Sequence, residues 1–254
     1  MLAIIKAEFL KEKRAANAKL LLIAPVIFIG FILLLNLLMG PSPKGKSYLV
    51  AAAFNWWPMI ILPAMITLMV ANICDKEKSV QQIFLKSTGI PAKSLLIAKN
   101  LIIFMETLVI LVILGLLVFF IGKVILQQDI LGKQLLKATI CLFVGSLPII
   151  EISFIAKRYF HFLVIVIANF VLSIVGAVVA VKSYWWLFPW SYNLRMMAPL
   201  LGIHPNGTFL NAGDPLLNLT AVPQAIISAS IWSICLLALQ LALQCRGEKH
   251  DSIN

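Results

Sequence analysis

Six apolar runs, each long enough to cross a lipid bilayer as a helix, restrict this chain to one class of fold. They read as approximately 20–39, 52–73, 98–121, 135–155, 162–181 and 223–243. A hydrocarbon core of about 30 Å needs about 20 residues of helix at 1.5 Å each, and inside lipid a helix satisfies its own backbone hydrogen bonds. Composition agrees: 61% of the 254 residues are hydrophobic and 12% charged, against about 25% charged in an ordinary soluble domain. The expected fold is an all-α polytopic membrane protein. It is a single transmembrane domain over 1–254, with an N-terminal arm at 1–19, a six-helix membrane core at 20–243 and a tail at 244–254. The first run is longer than the apolar part of a signal peptide, and no small-residue cleavage site is evident near Gly40, so it counts as a span.

The net charge of +11 would suggest nucleic acid in a soluble protein, but here its placement along the chain decides its meaning. Most of the 21 basic residues lie in the N-terminal arm (Lys6, Lys11, Lys13, Arg14, Lys19), the second connection (Lys76, Lys78, Lys86, Lys93, Lys99), the fourth (Lys157, Arg158) and the tail (Arg246, Lys249). These segments share one side of the membrane. By the positive-inside rule that side is the cytoplasm, so both termini are expected there and no nucleic acid is expected as partner. Trp56-Trp57 and Tyr184-Trp185-Trp186 with Trp190 fall at the opposite ends of the second and fifth spans, the depth that aromatic rings prefer.

"GPSPKGKS", Gly40 to Ser47, fits the phosphate-binding pattern G-x-x-x-x-G-K-[ST] letter for letter. That pattern binds nucleotide between a buried strand and a helix, where backbone N–H groups surround the phosphates. Here it follows a membrane helix, lies on the expected outer face, and contains two prolines that remove N–H donors. It reads as a turn, and no ATP site, cofactor or metal is expected in this chain.

Three further segments are patterned. In "MLAIIKAEFLKEKRAANAK", Leu2, Ile5, Phe9 and Ala16 share one helical face, as in a helix lying on anionic lipid. In the second connection Val80, Ile83 and Phe84 follow at i, i+3 and i+4, a short helix with one apolar face that Gly89 and Pro91 stop. Such a helix beside the membrane docks on the membrane surface or on a soluble partner. The last external connection, about 182–222, is too apolar for water, yet Pro189 and Pro199 bar a continuous span; short helices dipping into the outer leaflet are expected.

Chemistry-bearing residues are few. Glu106 and Glu151 fall inside apolar runs, where an ionisable group costs about 2.5–3.5 kcal/mol or more and needs a partner or a wet cavity. Glu106 could line such a cavity, whereas Glu151 has Lys157 and Arg158 nearby as structural partners. His161, His204 and His250 have no matched acid or metal spacing, His161 reading as an interfacial anchor and His204 as a turn residue. Cys74, Cys141, Cys235 and Cys245 have neither metal spacing nor a disulfide pattern.

With these residues in view, the chain resembles a type-2 ATP-binding-cassette permease. The resemblance rests on the basic amphipathic arm, six spans with both ends inside, the helix between spans two and three, and the buried segment between spans five and six. Its local match before the third span is an acidic start, an apolar helix, a proline and a lysine, met by Glu77, Leu85, Pro91 and Lys99. "IIKAEFLKEKRAANAKLLLIAPVIF" and "FNWWPMIILP" are similar to the E- and G-type permeases of lantibiotic-immunity transporters.

The resemblance implies a subunit of the bacterial plasma membrane that expels an antimicrobial peptide for self-protection. It implies a cytoplasmic ATPase carrying ATP and Mg, a second permease chain, identical or related, membrane lipid around both, and an amphiphilic peptide cargo. Glu77, Val80, Ile83, Phe84, Leu85 and Pro91 would couple to the ATPase, while Glu106, Trp185, Trp186 and Trp190 would contact cavity or cargo. Export of another amphiphile or drug, a membrane sensor and an intramembrane enzyme stand as alternative readings.

Overall fold

The computed structural model describes residues 1–13, 15–40, 42–43, 45–76, 87 and 89–251. Apart from one isolated bridge between Ile203 and Phe209, their regular structure is helical. Six helices are long and apolar enough to cross a membrane, each containing or closely matching one of the six expected runs. This is a multi-pass, all-α membrane protein.

The chain opens with α1 (Leu2–Glu12) and turns through an extended Ala15 into α2 (Ala16–Met39). The spans α3 (Tyr48–Asp75), α4 (Ala92–Ile125), α5 (Gly132–Lys157) and α6 (Phe162–Val179) follow. After α6 come two 3-10 turns at Trp185–Leu187 and Pro189–Ser191, the short helix α7 (Tyr192–Leu201), a third turn at Pro215–Leu217, and α8 (Ala221–Asp251). The helical segment expected between spans two and three, with Glu77, Val80, Ile83, Phe84 and Leu85, lies outside the described residues. Pro91 lies within them, extended at φ −63° and ψ 126°, and caps the start of α4.

The end of the bundle that carries α1 is called proximal below, and the other end distal. α5 forms the centre, packing on α3, α4, α7 and α8. Burial separates inner from outer helices: 67% of the apolar window of α5 is buried, against 22% for α2 and for α6. Leu34 and Leu38 on α2, Leu116 on α4, Ile167 on α6 and Ile234 on α8 are exposed, as a lipid-facing surface requires. Pro58 lies within a π-turn of α3 at Trp57–Ile61 and Pro63 follows it; there the Leu62 N–H donates to the Trp57 carbonyl five residues back. Proline has no N–H to give, and the widened turn absorbs the break.

The structure corrects the expectations for Ala16 and Trp57. The apolar face of the arm ends within α1, because the backbone turns at Ala15 and Ala16 belongs to α2. Leu2 and Phe9 are exposed, while Glu8 and Glu12 are buried and pair with Lys11 and Lys76. Trp57 is fully buried, its ring centroid 5.0 Å from that of Phe28, so it packs the core rather than sitting among headgroups. The expected tail continues α8 to Asp251, and the Cys245 thiol donates to the Leu241 carbonyl within that helix.

Candidate functional site

The proximal end concentrates polar groups where three spans and the N-terminal helix meet. Asn17, at the start of α2, is fully buried. Its Nδ2 donates to the Met69 carbonyl of α3 at 3.2 Å and to Glu106 Oε2 of α4 at 2.9 Å. Its Oδ1 accepts from Asn72 Nδ2 of α3 at 2.8 Å. One turn further along α3, Lys76 donates to Glu12 of α1. Beside it Asp75 pairs with Lys157 at the end of α5, 2.9 Å away. The last turn of α3 before residues 77–86 is therefore bonded to α1, α2 and α5, and through Asn17 to Glu106.

Glu151 belongs to a second knot, and its partner is not the expected one. Lys157 is taken by Asp75, and the Arg158 guanidinium donates to Gln244 at 3.1 Å. Glu151 is fully buried and accepts instead from Gln240 Nε2 of α8, whose Oε1 accepts from Asn100 Nδ2 of α4 at 3.2 Å. An amide brings a donor to the carboxylate without a second charge to desolvate. The knot ties α4, α5 and α8.

A third knot reaches the distal segment. Asn169 of α6 donates to Thr67 Oγ1 at 2.8 Å and Ser153 Oγ at 3.2 Å, and accepts from Trp190 Nε1 at 3.1 Å. Asn169 lies ten residues short of the distal end of α6, about 15 Å at 1.5 Å per residue, so the Trp190 side chain is anchored well below that end. Gly176 makes room for it: a Cβ there would stand 2.6 Å from the Trp190 carbonyl oxygen. The α7 helix inserts by the same device, with Gly145 of α5 leaving space for Asn193 and Met196, and Asn193 Nδ2 donating to Ser146 Oγ at 3.0 Å. From Tyr192 to Ala198 the helix is buried. The expected short helices form, and they insert between the spans, where a pair of glycines on facing spans makes room for them.

The aromatic residues of that segment divide by environment. Trp185 is buried under Arg195, whose guanidinium carbon stands 5.7 Å from its ring centre. Trp190 is half-buried against Asn169, whereas Trp186 is exposed, its carbonyl accepting from the Tyr192 hydroxyl at 2.7 Å. Burial lowers the Arg195 guanidinium below its ordinary value, opposed by the nearby Asp214 carboxylate, and burial pushes the Tyr192 phenol up. Arg195 Nη1 also donates to the Leu216 carbonyl at 3.1 Å, fastening α7 to the turn at Pro215–Leu217.

The phosphate-like loop at Gly40 to Ser47 does structural work at the distal end. Ser47 Oγ caps α3 by accepting from the Val50 N–H at 3.1 Å and meets Gln128 Oε1 at 2.5 Å. Lys46 Nζ donates to the Leu210 carbonyl at 3.3 Å and lies 5.0 Å from the centre of the Phe209 ring. Its ammonium bonds within the protein, and the loop joins two membrane helices rather than a strand and a helix. Among the described residues no group of three or more His, Cys, Asp or Glu could hold a metal ion. His161 caps α6 by accepting from the Leu163 N–H at 3.4 Å, and His204 Nδ1 accepts from the Asn206 N–H at 3.1 Å.

The sequence reading singled out Glu106 but missed its partners. Asn17, Asn72, Asn169 and Gln240 carry a usable signal, an amide at the edge of or inside an apolar run, because such a group must find a hydrogen bond across helices.

A family model described as "ABC-2 family transporter protein" matches residues 4–202, a stretch that runs from α1 through α7. No curated protein and no solved structure matches the chain.

Proposed function

The chain belongs to the ABC-2 family of transporter proteins and is the membrane subunit of an ATP-binding-cassette transporter, and from this premise we propose that it is the permease of an exporter that expels an amphiphilic cationic peptide from a bacterial plasma membrane. The family match over 4–202 is the observation that carries the permease part of this reading. It takes in the second connection, where Glu77, Val80, Ile83, Phe84, Leu85 and Pro91 would receive the stroke of a cytoplasmic ATPase. ATP and Mg belong to that ATPase, and a second permease chain, identical or related, completes the pathway.

The peptide cargo, of lantibiotic type, is supported by the similarity of the arm and of "FNWWPMIILP" to immunity permeases. Exposed Trp186, with Tyr184 beside it also exposed, is open to a cargo at headgroup depth.

Gentle extraction from native membranes tests the assignment. A soluble ATPase in stoichiometric amount, with loss of lantibiotic protection on deleting the chain, is the expected result. Repeated isolation of the chain alone overturns the coupling role, and protection that survives deletion overturns the cargo.

A further inference from the structure

The Asn17 junction stands where the proposed stroke would enter the membrane domain. Asn17 is the first polar residue after the turn from α1 into α2, and it spends both amide hydrogens and one oxygen on two other helices. In a low-dielectric interior an unmade bond of this kind is expensive, so the linked elements move together or separate in a discrete step. The neighbouring contacts of Lys76 with Glu12 and Asp75 with Lys157 place the junction at the last described turn of α3 before residues 77–86.

We propose that Asn17 is a positioning residue for ATP-driven transport: by holding Met69, Asn72 and Glu106, it makes the proximal ends of α2, α3 and α4 one body, so that displacement of the end of α3 moves α4 and the N-terminal helix pair. The proposal rests on the exporter reading above. Glu106 serves as the acceptor on α4, and an amide oxygen at that position performs the same service. An alanine on either side dissolves the junction while leaving the ATPase surface untouched.

The test uses the complete complex with its ATPase in liposomes, with a dye-labelled cationic amphiphilic peptide as probe. Asn17→Ala and Glu106→Ala each lower peptide moved per ATP hydrolysed by about tenfold, within the usual range of coupling between sites, while ATP turnover and co-purification of the ATPase persist. Glu106→Gln restores the wild-type ratio, and Asn17→Ala with Glu106→Ala is no worse than either alone. An unchanged ratio, a parallel fall of turnover and transport, or a Glu106→Gln variant as damaged as Glu106→Ala overturns the proposal.

A wild-type complex that moves no probe removes the proposed cargo instead. The junction is then judged on the purified chain: non-additive losses of thermal stability for the two alanine variants support it, and additive losses overturn it.

Discussion

Ser47 and Lys46 show how a residue's neighbours decide its chemistry. The serine caps a helix and the lysine bonds a carbonyl and lies over a ring, so both already serve the packing of the distal end. Lys46→Ala therefore leaves ATP-dependent activity of the assembled transporter unchanged, whereas Ser47→Ala lowers stability by about 1 kcal/mol through loss of the cap; turnover and melting of the two variants check this. Asn169 is the opposite case, a residue whose whole bonding capacity goes to holding elements together. Asn169→Leu strands the Trp190 indole N–H and removes both links to Thr67 and Ser153. The expected cost is about 1–2 kcal/mol, read as a lower melting temperature of the purified chain.

Asn169 was visible in the sequence only as an amide inside an apolar run. Its three partners come from spans two and four and from the distal segment, and no local pattern predicts such a meeting. The same holds for Glu151, where nearness in sequence favoured Lys157 or Arg158 and the fold supplied Gln240.

At the scale of elements, the distal segment docks because α5 and α6 each offer a glycine where another backbone or side chain must approach. Gly145→Val forces Asn193 and Met196 away from α5. An overpacked contact of this kind costs about 1–3 kcal/mol, and a cysteine at the buried Met197 position then becomes reactive to a water-soluble maleimide. If it stays protected, Gly145 is not what seats α7. The segment between α3 and α4 carries the second prediction at this scale. Phe84→Asp places a charge on its expected apolar face and abolishes ATP-driven transport while membrane insertion continues; full transport by that variant removes the coupling assignment. The six spans were legible because length and apolarity are local quantities. The inward lean of α7 was legible only in outline, because prolines and aromatic content forbid both a full span and a water-borne loop.

For the whole molecule, the distribution of lysine and arginine predicts a cytoplasmic proximal end. In a cysteine-free background, single cysteines in place of Ser42 and Ser87 are expected to label from outside and inside the cell respectively, and the reverse pattern inverts the assignment. The sequence by itself determined that the chain is a six-span helical membrane protein, since each span needs only its own residues to satisfy its backbone in lipid. It also carried the resemblance to a type-2 ATP-binding-cassette permease, which the family match bears out over residues 4–202. The tertiary structure decided which polar groups meet: Asn17 with Glu106 and Asn72, Glu151 with Gln240, Trp190 with Asn169. Inside a membrane a polar side chain must be satisfied by whichever helix is adjacent, and adjacency is a property of the packed bundle.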